Sequence, residues 1–195
     1  DENDPNSEND FGKNVIPAML NNHEKMAAYR FDGYWNDVGT LESLWDANMD
    51  MLSPESGLDL HDKSWPIYAR SVNAAAAYLG PRSTVTHSAF NRGSDLEGVV
   101  ENSVLSPNVD VAEGARVSYS VLLPGVKVAA GAVVEYAILG EDCHIGPGCH
   151  VGGKPEDYSE GWGLTVLAPQ CELAEGMNVA PGKMLDRSGK EVSKK

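Results

Sequence analysis

The sequence predicts a mainly β protein: a single-stranded parallel β-helix of hexapeptide-type coils that follows a small α/β segment. The first observation is an internal repeat of 17 residues, which is too short for repeats of paired helices. The second is that each copy combines short aliphatic runs with Gly, Pro and β-branched residues, which favour corners and strands. The third is that residues 10–52 carry helix and hairpin signals and do not repeat.

The repeat is seen when three segments are written under one another. They are SVLSPNVDVAEGARVSY from Ser103, SVLLPGVKVAAGAVVEY from Ser120 and AILGEDCHIGPGCHVGG from Ala137, so the offsets are 120 − 103 = 17 and 137 − 120 = 17. Valine, isoleucine and leucine recur in the same columns of all three. Stacked coils with strands about 4.8 Å apart would bring these side chains together as one core.

Two further copies are irregular. TVLAPQCELAEGMNV begins at Thr165, at an offset of 165 − 137 = 28, which means that 28 − 17 = 11 residues are inserted at residues 153–163. A degenerate first copy covers residues 88–102, and we expect its inward positions to be Leu96 and Val99. Gly114, Gly131 and Gly148 share a column, as a corner with positive φ would require.

Composition narrows the classes of function. Lys plus Arg is 15 and Asp plus Glu is 29, giving a formal net charge of −14. This charge argues against a chain whose main task is to coat nucleic acid or an anionic membrane. A hydrophobic content of 42% is ordinary for a globular protein. No apolar run approaches the roughly 20 residues that a membrane-spanning helix needs.

The three cysteines fall on apolar columns of the repeat. Cys143 and Cys171 occupy the slot of Val109 and Val126, and Cys149 occupies that of an alanine. They are therefore expected to be small buried apolar residues, although a disulfide between stacked Cys143 and Cys171 is geometrically possible. Reduced thiols indicate a cytoplasmic location.

The residues before the repeat form other elements. Apolar residues at helical spacing predict a short helix after Gly12. Residues 26–31 and 34–38 are predicted to be strands joined by an Asp-Gly turn at residues 32–33. Thr40 is a favourable N-cap for a helix that carries four apolar residues, Leu41, Leu44, Trp45 and Leu52, together with Asn48.

These elements are too few to make a domain of their own, and we expect the chain to be a piece of a longer protein. Residues 1–52 are the end of a larger α/β domain, and residues 53–84 form a linker. The β-helix is expected over residues 85–185, followed by a tail at residues 186–195.

Three motifs carry a specific resemblance. They are NDFGKNVIPAML at residues 9–20, FDGYWNDVGTLESLWDANMDML at residues 31–52 and WPIY at residues 65–68. Together with the β-helix they resemble the C-terminal portion of bacterial glucose-1-phosphate adenylyltransferase, also called ADP-glucose pyrophosphorylase. The resemblance covers essentially the whole chain. It also implies a left-handed coil, whereas the general crossover rule alone would favour a right-handed one.

The resemblance implies a reaction. ATP and glucose 1-phosphate give ADP-glucose and pyrophosphate with Mg²⁺, which supplies the glucosyl donor for glycogen. In the family, a Rossmann-like nucleotidyltransferase domain carries the glycine-rich nucleotide loop and most of the ligands. No such loop precedes Asp10 in the sequence, so we expect this chain alone to be inactive. It would serve oligomerisation and regulation in the intact enzyme.

Four site residues follow from the resemblance. Asp10 and Phe11 match the DFG motif and Trp35 matches GYWxDVGT, all at the glucose 1-phosphate site. Asp37 matches the Asp of the second motif at the same site, where it resembles a Mg²⁺ ligand. Each has a structural alternative: Asp10 could cap the helix, Trp35 could be ordinary core and Asp37 could form a turn before Gly39.

The remaining polar candidates are weaker. His144 and His150 fall on mostly polar columns and are expected to face solvent. Arg70, Arg82 and Arg92 could meet a phosphorylated regulator, since the family is allosterically controlled near the domain junction.

Other functions remain open at this stage. Hexapeptide β-helices also form trimeric acyltransferases with a catalytic His between coils, or carbonic anhydrases with three His on zinc. A non-catalytic regulatory subunit of the same family is a third alternative, and a pure assembly module is a fourth. Open coil ends favour assembly, and we expect a homo-oligomer, tetrameric by resemblance, or a hetero-oligomer with a related subunit.

Overall fold

The computed structural model describes residues 5, 7–60, 62–68, 72–156 and 162–193. The chain divides into two compact units, which are described separately. Unit 1 is Asp1–Gly33 and unit 2 is Tyr34–Lys195.

Unit 1 contains one short helical segment. A π-helical turn at Phe11–Val15 leads into helix α1 at Ile16–Asn21, which has a proline in its first turn. Proline fits there because the first helical N–H groups have no partner within the helix. The helix predicted after Gly12 is confirmed.

Unit 2 begins with an irregular segment and helix α2 at Leu41–Asp50. Thr40 caps α2: its hydroxyl accepts from the Ser43 N–H at 3.1 Å, and the Ser43 hydroxyl accepts from the Thr40 N–H at 3.0 Å. The predicted helix and its N-cap are therefore confirmed. A single 3₁₀ turn follows at Pro54–Ser56.

The predicted hairpin is wrong. Residues 22–40 are all described, and none of them lies in a strand. The Asp-Gly sequence between two runs of apolar residues is a hairpin signal, but an isolated two-stranded hairpin is marginal in water without a third strand or a helix to cover it.

The rest of unit 2 is a parallel β-helix whose strands form three six-stranded sheets. Sheet A contains β1 (Tyr78–Leu79), β3 (Asp95–Leu96), β6 (Asp110–Val111), β9 (Lys127–Val128), β12 (His144–Ile145) and β15 (Glu172–Leu173). Sheet B contains β2 (Thr84–Thr86), β4 (Val99–Glu101), β7 (Arg116–Ser118), β10 (Val133–Glu135), β13 (His150–Gly152) and β16 (Asn178–Val179). Sheet C contains β5 (Val104–Leu105), β8 (Val121–Leu122), β11 (Ala137–Leu139), β14 (Thr165–Leu167), β17 (Met184–Leu185) and β18 (Glu191–Val192).

The strand register follows the repeat columns. In sheet C, Val121 pairs with Val104 and with Ile138, which pairs with Val166 across the 28-residue step. All pairs are parallel except β17 with β18. The predicted mainly β, coiled architecture is confirmed, and its left-handed winding stays a prediction.

One inward position in the first copy needs correction. Val100, not Val99, is fully buried and pairs with Val117. Val99 is only half-buried. The corner between β3 and β4 is two residues shorter than the corresponding corner of the next coil, so the columns of the first copy are harder to align. Only one of two neighbouring residues in a strand can point inward, and here it is the second. Leu96 is fully buried, as predicted.

The core runs along the axis of the coil. It consists of small and medium aliphatic side chains from all three sheets, joined by Cys143, Cys149 and Cys171. All three thiols are free and buried, which confirms that they serve as apolar residues. Burial raises the pKa of the Cys143 thiol to about 11. Among the described residues, no helix has the length and apolar character to cross a membrane.

Candidate functional site

The segment at residues 34–39, here called the GYW loop, carries two of the predicted site residues. Trp35 is 76% exposed and Asp37 is exposed as well. Within this chain, Trp35 is therefore not part of a buried core. The carboxylate of Asp37 lies over Gly39, since a Cβ added at Gly39 would be 3.5 Å from Asp37 Oδ1. An indole and a carboxylate thus stand free on one short loop.

The GYW loop is fastened to both ends of helix α2. Tyr34 donates a hydrogen bond from its hydroxyl to Asp50 Oδ2 at 2.9 Å, at the C-terminal end of the helix. Thr40 caps the N-terminal end. Partial burial raises the pKa of Tyr34, and the hydrogen bond to Asp50 raises it further. The hydroxyl therefore stays protonated and keeps donating throughout the neutral range.

The other two predicted site residues lie in unit 1. Asp10 is the N-cap of the π-helical turn, and its Oδ1 accepts from the Lys13 N–H at 2.7 Å. The capping alternative is thus confirmed, and a capping carboxylate keeps lone pairs for a further contact. Phe11 is 72% exposed. The four residues therefore fall into one pair on each unit, and their role at a sugar-phosphate site stays a prediction.

Asp37 has few possible metal ligands around it. Among residues 7–60, 62–68, 72–156 and 162–193, no three His, Cys, Asp or Glu side chains converge on a possible metal position. A single exposed carboxylate nevertheless fits Mg²⁺, which keeps several waters and is commonly held by one or two carboxylates together with substrate phosphates. Asp37 is such a carboxylate.

Helix α2 lies against the outer face of sheet C. Its Trp45 is only 8% exposed and packs with the outward side chains Val121, Ile138 and Leu164. The indole Nε1–H of Trp45 donates to the backbone carbonyl of Tyr119 at 2.8 Å. This bond satisfies the only polar group of a side chain that is otherwise in apolar surroundings.

Four aromatic residues meet at this contact, and we call them the aromatic corner: Trp45, Tyr119, Tyr136 and Trp162. The rings of Tyr119 and Tyr136 stack in parallel at 4.7 Å between centroids. Trp45 stacks on Tyr136 at 6.3 Å and meets Trp162 edge-on at 5.1 Å. Such geometries are the favoured ones for aromatic pairs.

Sequence reasoning missed most of this corner. Trp45 was recognised only as an apolar residue of the helix. Tyr119 and Tyr136 are 136 − 119 = 17 residues apart and so stack by the repeat, which the period could have revealed. Trp162 lies in the insertion at residues 153–163, where a tryptophan among polar residues was the available signal.

The remaining candidates lie elsewhere on the β-helix. His144 and His150 are exposed as predicted, and His150 Nε2 is 3.5 Å from Glu135 Oε2. Arg82 forms an ion pair with Glu113. Arg92 is exposed.

Arg70 lies outside the described residues. His87 contacts both the segment that follows α2 and the next coil. Its Nε2 is 2.8 Å from the Leu52 carbonyl oxygen and its Nδ1 is 2.7 Å from Asn102 Oδ1.

Two family models match the chain. The nucleotidyl transferase model matches residues 1–54, and the GlmU-like, C-terminal hexapeptide model matches residues 72–166. The chain therefore joins the end of a nucleotidyltransferase domain to a hexapeptide β-helix. The first match contains all four predicted site residues and Trp45, and the second contains the coils on which Trp45 packs.

Three curated relatives that match the chain share one name. The chain is 45% identical over 171 residues to glucose-1-phosphate adenylyltransferase of Desulforamulus reducens, and this match covers 86% of the chain and 42% of the relative. The enzyme of the same name from Clostridium perfringens is 50% identical over 117 residues, which is 60% of the chain and 30% of the relative. That of Fusobacterium nucleatum is 46% identical over 117 residues, again 60% of the chain and 30% of the relative.

The chain spans less than half the length of these curated relatives. It is homologous to the C-terminal portion of glucose-1-phosphate adenylyltransferases, and the predicted resemblance is confirmed.

Proposed function

We propose that this chain is the C-terminal region of an enzyme that converts ATP and glucose 1-phosphate into ADP-glucose and pyrophosphate for glycogen synthesis. The observation that carries the proposal is the 45% identity over 171 residues to an enzyme of that name, across both the GYW loop and the coils. The exposed pair of Trp35 and Asp37 supports it, since an indole can lie against a sugar and a carboxylate can hold Mg²⁺.

The proposed chemistry is an in-line displacement. A phosphate oxygen of glucose 1-phosphate attacks the α-phosphorus of ATP, and pyrophosphate leaves. Asp37 would hold Mg²⁺, which stabilises the negative charge of the transferring group when bound. Asp10, Phe11 and Trp35 would contact glucose 1-phosphate. The family resemblance implies that the ATP-binding glycine-rich loop lies outside this chain, which spans 42% of the first relative, so the chain alone is expected to be inactive.

We assign assembly and regulation to the β-helix. Among the described strands, β1 and β2 end their sheets at one end of the coil, and β15 and β16 end theirs at the other. Such edges are commonly covered by another subunit, which supports an oligomer. From the family resemblance we propose a homo-tetramer in the intact enzyme or a hetero-oligomer with a related subunit. The three free buried thiols support a reducing, cytoplasmic environment.

The test uses the full-length protein that contains this chain. Purified protein should release pyrophosphate from ATP only when glucose 1-phosphate and Mg²⁺ are present. Asp37→Asn should lower kcat by about a hundredfold or more if its carboxylate holds the metal. Asp95→Asn, an exposed Asp-to-Asn change on sheet A, is the matched control and should retain activity.

Absence of pyrophosphate release by the unsubstituted protein would overturn the proposal. Acyl-CoA turnover that is abolished by His144→Ala or His150→Ala would instead support the acyltransferase alternative. A full-length protein that binds a catalytically active relative but has no turnover of its own would be the regulatory subunit.

A further inference from the structure

The GYW loop is a closed loop on helix α2. Its first residue, Tyr34, is hydrogen-bonded to Asp50 at the C-terminal end of the helix, and its last residue is followed directly by Thr40, the N-cap of the helix. A short segment that is fixed at both ends of a helix must move with that helix. The positions of Trp35 and Asp37 are thereby tied to the position of α2.

Helix α2 is itself fixed on the β-helix. Trp45 is buried in the aromatic corner and donates its indole N–H to Tyr119 on the coil. Leu41, Leu44 and Met49 extend the contact along the helix. This contact joins the end of the nucleotidyltransferase match to the hexapeptide match within unit 2.

The corner of the coil that receives α2 has a left-handed backbone. Tyr119 and Tyr136 both have φ of 48°, in the left-handed region that non-glycine residues avoid. The equivalent residues of the two earlier coils, Asn102 and His87, have φ of 47° and 45°, so the coil itself imposes this conformation. Tyrosine at the two later corners brings the rings into the stack on which Trp45 packs.

We infer that the aromatic corner positions Trp35 and Asp37 for binding of glucose 1-phosphate and Mg²⁺. Trp45 fixes helix α2 on the β-helix, and Tyr34 fixes the GYW loop on α2. This inference rests on the proposed function. It also gives the insertion at residues 153–163 a role, because the insertion brings Trp162 onto Trp45. A change at the corner reaches the loop without touching substrate, which is how the coil would influence the site.

The first measurement needs no catalytic activity. A nitroxide label is placed on Val38→Cys, a half-exposed position next to Asp37, in the full-length protein. Cys143, Cys149 and Cys171 are buried, so within this region only the introduced thiol reacts. The label should be restricted in the parent protein, and its spectrum should sharpen when Trp45→Leu or Tyr34→Phe is added.

The second measurement is kinetic and uses unlabelled protein. Trp45→Leu and Tyr34→Phe should raise the KM for glucose 1-phosphate and the Mg²⁺ activation constant by about fivefold or more. The KM for ATP should change less than about twofold, because a displaced GYW loop affects the sugar phosphate and the metal first. Trp45→Phe keeps a ring in the corner and should recover most of the loss.

The controls separate positioning from stability. Leu96→Ala removes a fully buried side chain of the coil core that is not part of the corner. It should lower the melting temperature at least as much as Trp45→Leu and leave label mobility and KM unchanged. Tyr29→Phe is the matched control for Tyr34→Phe, since Tyr29 is 90% exposed.

Two failures are distinguishable. If the parent protein releases pyrophosphate but the corner variants leave label mobility and KM unchanged, the inference is wrong and the proposed function stands. The same conclusion follows if Leu96→Ala moves both readouts as much as Trp45→Leu does. If the parent protein releases no pyrophosphate, the proposed function fails and the inference fails with it.

Discussion

Gly146 and Gly148 lie two residues apart on one coil, but different physical constraints demand glycine at each. A Cβ added at Gly146 would lie 2.5 Å from the Leu173 carbonyl oxygen and 2.9 Å from the Ala174 carbonyl carbon on the next coil. Gly146 also donates its N–H to that Leu173 oxygen at 2.9 Å. Gly146→Ala must therefore push two coils apart, at about 1–3 kcal/mol or roughly 2–12 °C in Tm.

Gly148 has the opposite constraint. It has φ of 62°, and a Cβ added there would meet nothing within 4 Å. Gly148→Ala should destabilise by about 1–2 kcal/mol because of backbone conformation alone. Gly148→Asn should lose less than Gly148→Ala, because asparagine adopts this conformation more readily, as Asn108 does at φ of 61°.

The two sites thus differ in the order of their substitutions. At Gly148, Asn should be more stable than Ala. At Gly146, Asn should be at least as destabilising as Ala, because its larger side chain begins with the same clashing Cβ. Thermal unfolding followed by far-UV circular dichroism on all four variants gives both orders. If Asn is better than Ala at Gly146, or no better than Ala at Gly148, the assignment of steric and conformational constraints is wrong.

Two further predictions concern titrating groups. Burial, together with repulsion from Asp50 and Glu42, raises the pKa of Asp46. Because the ionised carboxylate is disfavoured in the native state, the unfolding free energy should rise as pH falls through that pKa. Asp46→Asn should stabilise the chain at pH 7 by about 0.5–1 kcal/mol and flatten this pH dependence in denaturant titrations, since two like-charge pairs at helical spacing are removed. Cys143, with its pKa of about 11, should not react with a thiol reagent at pH 8 until the coil unfolds, and the unfolding free energy should decrease as pH rises from 9 to 11. Fast native-state labelling of Cys143, or greater stability of the parent than of Asp46→Asn at pH 7, would contradict these expectations.

The coil was predictable because its information is local and repeated. Each inward column holds the same kind of residue in successive copies, so Val121 and Ile138 could be paired by counting alone. The first copy failed by one residue, at Val99, because only a single degenerate corner fixed its register. The hairpin prediction failed for a different reason: apolar residues on either side of an Asp-Gly turn indicate two possible strands but not whether another strand is present to complete the sheet.

The site was less accessible to sequence reasoning. Exposure of Trp35 depends on where the GYW loop is held, and no local pattern distinguishes an exposed tryptophan from a buried one. The capping role of Asp10 was predictable because a cap is decided within three residues. The contact between Trp45 and Tyr119 spans 74 residues and depends on the face of the coil to which α2 binds. Neither the helical spacing of α2 nor the 17-residue period of the coil indicates which face α2 binds.

The positions at which the repeat is broken identify this face. The left-handed corners of this coil are otherwise held by glycine or by polar residues, yet two tyrosines occupy neighbouring corners and an insertion supplies Trp162. Neither departure contributes to the axial core, which the regular columns already fill. Both contribute to the surface that binds Trp45. In a solenoid, the columns therefore predict the fold, and the residues that depart from their columns predict where another element is bound.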